Sequence, residues 1–409
     1  MGGMPQRTFV VVGGNLAGGT AVGTLRTEGF DGRLVLVGDE THLPYERPPL
    51  SKEYLRGEHD LASIFVRPDD WYREHDVDAR LGTRATRVDP ARRAVVLEGG
   101  EEIRYDALLL ATGARPRRLS GIDSDRILYL RTIEDSDRIK SRLERSRHLV
   151  VVGAGFIGAE VAASARTLGR EVTVLEYAPV PLARALGREM GEVYGAIHRD
   201  HGVDLHTGEG VEAIEDKAGG GVVVRTSGGR AFEGDAVVVG VGIEPRTELA
   251  EAAGIAVDNG VLVDPACRTS VEGIFAAGDV ANHQHPLFGR IRVEHFDNAL
   301  KMGEHAARSM LGSAEPFDDP HWFWSDQYDL NLQYGGFAKE WDDTVIRGSV
   351  EDRDFCAFYL KDGVLLAALG LNRGKEVRRA MKLISAAARP DPASLRDEDV
   401  DLRSLAATG

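Results

Sequence analysis

The stretch LVVVGAGFIGAEVAASARTLGREVTVLE, residues 149–176, decides the fold of one large part of this chain. Its first apolar run ends in a GxGxxG motif at 153–158, small residues follow at helical spacing, and a second apolar run ends at Glu176. This order predicts a strand, a tight glycine turn, a helix and a second strand. The helix N-terminus would face a pyrophosphate, and Glu176 would accept a hydrogen bond from a ribose 2′-hydroxyl. The stretch therefore predicts a dinucleotide site; the alternative is a glycine-rich turn in another α/β protein.

A second copy of this pattern lies near the N-terminus. An apolar run at 8–12 leads into GGNLAG at 13–18, with Asn15 where the middle glycine of the motif is expected. Asparagine tolerates a left-handed backbone better than most residues, although its Cβ narrows the gap to a phosphate. Asp39, or Glu40 beside it, is the candidate ribose acceptor. Two such units predict two dinucleotides, most commonly one flavin that is held permanently and one nicotinamide that visits.

Composition and charge restrict the class of protein. With 409 residues, two or three domains are expected, and a net charge of −15 argues against nonspecific nucleic-acid binding. The two cysteines, Cys267 and Cys356, form no CxxC pair, which disfavours a dithiol redox motif and a cysteine zinc site, and no metal is predicted. No apolar run approaches a membrane span, and the N-terminal residues lack the apolar core of a signal sequence. A cytoplasmic protein without a membrane partner is therefore expected.

Other segments extend this organisation. The run VVVGVGIEPR at 237–246 echoes LLLATGARPR at 108–117, which supports two related nucleotide domains, one inserted in the other. Three prolines at 44–49 exclude a regular helix from the loop that carries Arg47 and Lys52. The segment before Asp279 predicts a short strand that places Asp279 at a helix start, where a plain N-cap is the simpler interpretation.

The composition changes after Pro316. Alternating segments near 343–350, 355–360 and 363–369 predict antiparallel strands, and a helix is predicted over 375–388. This C-terminal domain has an α+β pattern. Its helix carries a cluster of basic residues: Lys375, Arg378, Arg379 and Lys382.

Several specific motifs occur together in this order: the two glycine loops, PYERPPLSK (44–52), LLLATGARPR (108–117), TSVEGIFAAGD (269–279) and FWSDQY (323–328). In this combination, over nearly its whole length, the chain resembles the FAD-dependent, NADH-linked ferredoxin reductases of the putidaredoxin reductase type, which serve bacterial oxygenases and cytochromes P450. The expected fold is α/β, with two Rossmann-like dinucleotide-binding domains, one inserted in the other, and a C-terminal α+β domain. The predicted boundaries are 1–113 and 244–316 for the two parts of the FAD-binding domain, 114–243 for the NAD-binding domain and 317–409 for the C-terminal domain.

The resemblance also implies positions for both cofactors. FAD is expected on Gly13, Asn15, Leu16, Ala17, Asp39, Arg47, Lys52, Ala85, Thr112, Gly113, Arg131, Asp279, Phe296 and Trp324. NADH is expected on Gly153, Gly155, Phe156, Ile157, Gly158, Glu176, Arg184, Val241 and Gly242. Lys52 and Glu160 are the candidate catalytic residues, because the motif places Lys52 near the flavin and a buried ammonium needs a partner. Glu176 favours NADH over NADPH, and Arg184 partly offsets that preference.

The expected function is electron transfer from NADH through FAD to a ferredoxin that feeds a cytochrome P450 or a ring-hydroxylating dioxygenase. Residues 39–56 contain no cysteine, so electrons are expected to leave the flavin directly. The ferredoxin is expected to bind transiently, and the reductase to be a monomer or a weak homodimer. The candidate docking patch comprises Arg378, Arg379, Lys382 and Lys301, with Arg115, Arg117 and Arg118 as the next surface. Two alternatives stay open: a flavoprotein whose reduced state is a binding signal, similar to apoptosis-inducing factor, and an NADH-dependent reductase of a small acceptor.

Overall fold

The computed structural model describes residues 6–120 and 124–407, so the N-terminal residues in which no signal sequence is predicted lie mostly outside it. The strands are β1 (Thr8–Val12), β2 (Arg33–Val37), β3 (Val77–Arg80), β4 (Ala85–Asp89), β5 (Ala94–Leu97), β6 (Glu102–Arg104), β7 (Ala107–Leu110), β8 (Ala114–Pro116), β9 (Ile127–Tyr129), β10 (His148–Val152), β11 (Glu171–Glu176), β12 (Asp204–Thr207), β13 (Val211–Asp216), β14 (Val222–Thr226), β15 (Ala231–Gly234), β16 (Ala236–Val239), β17 (Ile243–Pro245), β18 (Val261–Val263), β19 (Ile274–Ala276), β20 (Ala281–His285), β21 (Gly289–Ile291), β22 (Trp322–Gln327), β23 (Leu330–Gly336), β24 (Asp343–Ser349), β25 (Asp354–Lys361) and β26 (Val364–Leu371). The α-helices are α1 (Leu16–Thr27), α2 (Glu53–Arg56), α3 (Asp69–Glu74), α4 (Ile133–Arg145), α5 (Phe156–Thr167), α6 (Ala183–Asp200), α7 (Glu248–Ala252), α8 (Phe296–Met310), α9 (Gly374–Ser385) and α10 (Pro392–Arg396).

Two compact units make up the chain. The first contains the residues up to Glu46, Leu61–Arg115 and Glu244–Phe323. The second contains Arg47–Asp60, Pro116–Ile243 and the segment from Trp324 onward. The segments 1–113 and 244–316, predicted to form one domain, thus lie mainly in the first unit.

The first unit is organised by a parallel sheet in the order β19-β7-β1-β2-β3. Val10 of β1 pairs with Val35 on one side and with Leu108 on the other. The central strands are apolar on both faces, as expected where helices cover a parallel sheet. Their buried side chains form a continuous core, to which Leu25 of α1 and Met302 of α8 contribute.

The second unit repeats this architecture with the parallel sheet β12-β11-β10-β16-β9. Val150 of β10 pairs with Thr173 of β11 and with Val237 of β16. Helix α5 follows β10 as α1 follows β1, so the two βαβ units predicted from the glycine motifs are both present.

The C-terminal segment of the chain contains a five-stranded sheet in the order β22-β23-β26-β25-β24. The pairs β23–β26, β26–β25 and β25–β24 are antiparallel, as the alternating sequence pattern predicts. Helix α9 buries Val377, Ala380, Leu383 and Ile384 and contacts β23 and β26. The predicted C-terminal α+β arrangement is therefore confirmed.

Candidate functional site

The backbone conformation at the first position of each motif requires a glycine. Gly13 and Gly153 have φ values of 128° and 93°, which side chains rarely adopt. A Cβ on Gly13 would lie 2.0 Å from the carbonyl oxygen of Ala111, and one on Gly153 would lie 2.5 Å from that of Gly240. Each turn therefore presses against the neighbouring strand end, which brings the following helix N-terminus to the edge of its sheet.

Asn15 does not use the left-handed conformation considered for it from the sequence. Its φ and ψ are −114° and −171°, and the corresponding Gly155 is equally extended, so either residue fits. The Asn15 side chain instead caps α1: Oδ1 accepts a hydrogen bond from the Gly18 N–H at 3.3 Å, and Nδ2 donates to the carbonyl oxygen of Ala111. The departure from the glycine motif is thus a local hydrogen-bonding arrangement that leaves the turn intact.

The N-terminus of α5 is suited to a pyrophosphate. A Cβ on Gly155 would enter open space, and in the described residues no group accepts a hydrogen bond from the N–H of Ile157 or Gly158. Unpaired N–H groups at a helix N-terminus attract phosphate oxygens. The residues present therefore fit the dinucleotide that the sequence predicts.

Glu176 organises this turn. Its Oε2 accepts a hydrogen bond from the Ala154 N–H at 2.5 Å, and its Oε1 accepts one from the Ala178 N–H at 2.7 Å. The carboxylate at the end of β11 thus touches the glycine loop itself. Arg184, eight positions further on, lies exposed on α6 and forms no ion pair with Glu176 in the described structure.

Exposed apolar side chains mark the same edge of this sheet. Ile157, Tyr177 and Val241 are 43%, 82% and 38% exposed, and they follow β10, β11 and β16, which are neighbouring strands. Ligands of open parallel sheets bind at the carboxyl ends of the strands. Ile157 and Val241 were predicted from the sequence, and Tyr177 was not, although a large aromatic residue directly after Glu176 is a signal that could have identified it.

A buried ionic cluster lies in the second unit. Lys52 Nζ donates to Glu160 Oε2 at 2.7 Å, and both side chains are 5% exposed. Ser51 Oγ donates to the same oxygen at 2.5 Å, and Ser325 Oγ donates to Oε1 at 2.7 Å. Glu160 therefore has three donors, which compensates for the cost of burying its charge. The contact between Lys52 and Glu160 was predicted, whereas Ser51 and Ser325 were missed because a serine within a motif carries no distinguishing signal.

The loop that carries Lys52 is fixed by its neighbours. Pro48–Ser51 is a short 3₁₀ helix, in agreement with the exclusion of a regular α-helix. The Ser136 hydroxyl donates to the Leu50 carbonyl oxygen at 2.8 Å, and Arg47 donates to the carbonyl oxygen of Arg131. Lys52 is thus held on a rigid segment.

Three residues that were predicted to bind FAD form hydrogen bonds with one arginine of the first unit, Arg246. The Arg246 N–H donates to the Gly113 carbonyl oxygen at 3.0 Å, and the Thr112 hydroxyl donates to the Arg246 carbonyl oxygen at 2.7 Å. Arg246 Nη1 also donates to Asp39 Oδ2 at 2.8 Å. Asp39 therefore has a cationic partner that the sequence did not reveal.

The remaining candidates lie as follows. Leu16, Ala17 and Ala85 are buried, and Phe296, at the start of α8, and Trp324, on β22, are half-buried. Asp279 is not a helix N-cap: it lies within the 3₁₀ helix Gly278–Val280, because the helix starts one residue before it. Gly242 is exposed with a φ of 100°, and Phe156 begins α5.

The charges proposed for docking differ in their surroundings. Lys375, Arg378 and Lys382 are exposed on α9 and have no carboxylate partner among the described residues, whereas Arg379 is half-buried. Lys301 was wrongly grouped with them, since it pairs with Asp297 at 2.7 Å and with Asp319 at 2.9 Å.

Other classes of site find little support. Cys267 and Cys356 are buried and not disulfide-bonded, and burial raises the pKa of both thiols. In residues 6–120 and 124–407, no group of three or more His, Cys, Asp and Glu side chains is arranged to hold a metal ion. No helix of the described chain is long and apolar enough to cross a membrane.

Two glycine-turn units in one chain are typical of oxidoreductases that bind two dinucleotides. Residues 7–303 match the family of pyridine nucleotide-disulphide oxidoreductases, and residues 322–406 match the reductase C-terminal family. The chain belongs to the pyridine nucleotide-disulphide oxidoreductases, and this family implies a flavin and a pyridine nucleotide.

Close relatives share nearly the whole length. The ferredoxin–NAD(+) reductase component of an anthranilate 1,2-dioxygenase system from Burkholderia cepacia is 41% identical over 98% of this chain and 100% of its own. Rhodocoxin reductase from Rhodococcus erythropolis is 38% identical over 97% of this chain and 93% of its own. The covalent putidaredoxin reductase–putidaredoxin complex contains a chain with 35% identity and a TM-score of 0.95, with 99% of each chain covered. The predicted family and fold class are confirmed.

Proposed function

We propose that this protein transfers electrons from NADH through FAD to a small iron–sulfur ferredoxin, which in turn supplies a cytochrome P450 or a ring-hydroxylating dioxygenase. A ferredoxin–NAD(+) reductase component of a dioxygenase system and a rhodocoxin reductase match 98% and 97% of this chain, which supports the proposal. Bound flavin supplies the conversion between a two-electron donor and a one-electron acceptor. The protein's own residues bind both nucleotides, orient them and fix the charges around them.

The position and burial of the cysteines are the observation that best supports this proposal, because the family also includes disulfide reductases. Residues 39–56 contain no cysteine, and both cysteines of the chain are buried elsewhere. Burial raises the pKa of the Cys267 and Cys356 thiols, so neither is a ready nucleophile. A route from the flavin through a thiol is therefore disfavoured, and direct electron transfer to the acceptor is the simplest alternative.

The proposed NADH site follows the order of strands in the second unit. Glu176 ends β11 and Tyr177 follows it, the glycine loop follows β10, and Val241 follows β16. This order matches adenosine, pyrophosphate and nicotinamide along an extended dinucleotide. Glu176 accepts from the 2′-hydroxyl and repels a 2′-phosphate, which makes NADH the preferred donor.

FAD is proposed to bind at the N-terminus of α1 in the first unit, where Asn15 preserves the turn. The segments 1–113 and 244–316 form its domain, 114–243 form the NAD-binding domain and 317–409 the C-terminal domain. Lys52 and Glu160 are proposed as the residues that fix a charge at the flavin ring. A buried ion pair with three donors to Glu160 is preorganised for that role.

The ferredoxin is proposed to dock on the basic face of α9, which we define as Lys375, Arg378 and Lys382. These side chains are exposed at a spacing that places them on one helix face. An acidic ferredoxin is repelled by a chain with a net charge of −15, so association requires a local field of opposite sign. The basic face of α9 supplies such a field.

NADH-dependent reduction of a purified [2Fe–2S] ferredoxin, followed by absorbance under anaerobic conditions, tests this function. Many turnovers per enzyme are expected, with a lower kcat/KM for NADPH. A protein that turns over quinones but no ferredoxin would support the small-acceptor alternative. A stable NADH-reduced form that passes electrons to neither acceptor would support a signalling flavoprotein.

A further inference from the structure

Helix α6 begins with a single separate turn. Leu182, immediately before it, has a φ of 54°, and Gly187 within it has φ and ψ of 77° and −177°. The four residues at 183–186 therefore form one helical turn that is cut off from the remainder of the helix. We call this segment the Arg184 turn, because Arg184 is its exposed cation.

One end of the Arg184 turn is tied to the nucleotide loop. The Leu182 N–H donates to the Ala154 carbonyl oxygen at 3.0 Å. The N–H of the same Ala154 donates to Glu176. The position of the turn is thus coupled through one residue, Ala154, to the glycine loop and the proposed ribose acceptor.

The other end is held by the C-terminal sheet. The Tyr359 hydroxyl on β25 donates to the Leu186 carbonyl oxygen at 3.1 Å. The Trp341 indole lies against Gly187, where a Cβ would come within 2.4 Å of Cζ2, and it meets the Tyr359 ring edge to face at 4.9 Å. Because the helix is interrupted at Gly187, the Leu186 carbonyl oxygen needs a hydrogen-bond donor from outside the turn. The Tyr359 hydroxyl is that donor.

These contacts are buried, whereas the cation that they support is not. Tyr359 and Leu186 are each 1% exposed, so their hydrogen bond is shielded from competing water. Arg184 is exposed and has no carboxylate partner in the described structure. A cation on a short turn, fixed at both ends beside a pyrophosphate-binding loop, is poised for an anionic group of the nucleotide.

We infer that Tyr359 is a positioning residue for the pyridine nucleotide. By holding the Arg184 turn, it sets the distance between the Arg184 guanidinium and the phosphates of NADH, so the C-terminal sheet controls nucleotide affinity. This inference rests on the proposed NADH site, and it goes beyond it by assigning part of that site's affinity to a residue on a different sheet.

The test measures ADP-ribose binding to the flavin-loaded protein by calorimetry. Tyr359→Phe removes only the hydroxyl and should weaken ADP-ribose binding about three- to ten-fold, the range for one lost hydrogen bond. Tyr334→Phe is the matched control: Tyr334 lies on the same sheet with its ring 5.9 Å from Tyr359, and its hydroxyl bonds to the Ala338 backbone. ADP-ribose affinity should be unchanged in that variant.

A double-mutant cycle with Arg184→Ala separates positioning from general loosening. If Tyr359 acts through Arg184, Tyr359→Phe will have no further effect on ADP-ribose affinity in the Arg184→Ala background. Wild-type affinity in Tyr359→Phe, wild-type affinity in Arg184→Ala, or fully additive effects would each overturn the inference. Ferredoxin turnover by the wild-type protein reports separately on the proposed function, so the two failures are distinguishable.

Discussion

Lys52 and Glu160 are 108 positions apart in the chain, yet the Lys52 ammonium donates to the Glu160 carboxylate at 2.7 Å in the interior of the second unit. Two further hydroxyls donate to the same carboxylate. Burying an ion pair contributes little net stability, because desolvation offsets most of the attraction. The three donors to Glu160 are what the proposed role of fixing charge at the flavin ring requires.

Replacing Lys52 tests that role. Lys52→Ala should slow reduction of the bound flavin by NADH by about ten-fold or more, since one preorganised charge is lost, while FAD stays bound. It should also lower the free energy of unfolding by about 3–5 kcal/mol, because Glu160 is left buried without its cation. Stopped-flow absorbance at the flavin band measures the rate. Ser136→Ala, which removes a buried hydroxyl that donates from α4 to the Leu50 carbonyl of this loop without touching Glu160, is the control. An unchanged rate in Lys52→Ala would remove the pair from the mechanism.

The preference for NADH should depend on Glu176. Glu176→Arg should shift kcat/KM toward NADPH, because a guanidinium attracts the 2′-phosphate that the carboxylate repels. Glu176→Gln keeps an oxygen for the Ala154 N–H but loses the charge, so it should reduce discrimination without reversing it. Steady-state kinetics with both nucleotides provide the measurement. Equal kcat/KM values for NADH and NADPH in the wild-type protein would show that Glu176 has been assigned the wrong role.

The basic face of α9 is expected to steer the ferredoxin. Reversal of Lys375, Arg378 and Lys382 to Glu should raise the KM for ferredoxin about ten-fold at low salt and flatten its salt dependence. Ferricyanide reduction should stay near normal, because neither nucleotide site is altered. Reversal of Arg145, Arg199 and Arg225, which are exposed on other elements, gives the same change in net charge. If both triple variants raise the KM for ferredoxin equally, net charge controls ferredoxin binding, and the basic face of α9 is not the docking surface.

Stability should fall in mild acid. Burial lowers the pKa of His283 to about 4, from an ordinary value of 6.5. Between these values the unfolded chain binds more protons, so stability rises with pH there and is lost as the pH falls from 6.5 toward 4, by about 1.4 kcal/mol per pH unit for this residue. His283→Leu should reduce the slope of thermal midpoint against pH in this window, and the midpoints can be followed by circular dichroism. A slope identical to that of the wild-type protein would assign the acid sensitivity to other groups.

Sequence patterns predicted the local architecture well where one physical signal dominates. The apolar run at 8–12 matches β1. The helix predicted over 375–388 is observed as Gly374–Ser385, because an amphipathic pattern does not mark the exact end of a helix. The conformation of Asn15 was not predictable, because an asparagine can cap a helix or adopt a left-handed turn, and long-range contact with Ala111 decides between them.

Side-chain partners were harder to predict than backbone elements. Lys301 was interpreted as a free surface cation, because the sequence does not show that it forms an ion pair with Asp319. The contact of Arg246 with Asp39 joins residues 207 positions apart, and only the tertiary structure brings them together. Lys52 and Glu160 were exceptions, because a buried ammonium demands a counter-charge and the motif limited where that charge could come from.

Single-turnover transfer from the NADH-reduced protein to a [2Fe–2S] ferredoxin tests the central claim most directly. The protein is first treated with iodoacetamide, so that any accessible thiol is blocked, and is then reduced with NADH and mixed anaerobically with oxidised ferredoxin. We predict that ferredoxin reduction and flavin reoxidation proceed with the same rate constant, and that this constant equals that of the untreated protein. Failure to reduce ferredoxin, or loss of transfer on alkylation with the flavin still reducible by NADH, would contradict direct electron transfer from the flavin to the ferredoxin.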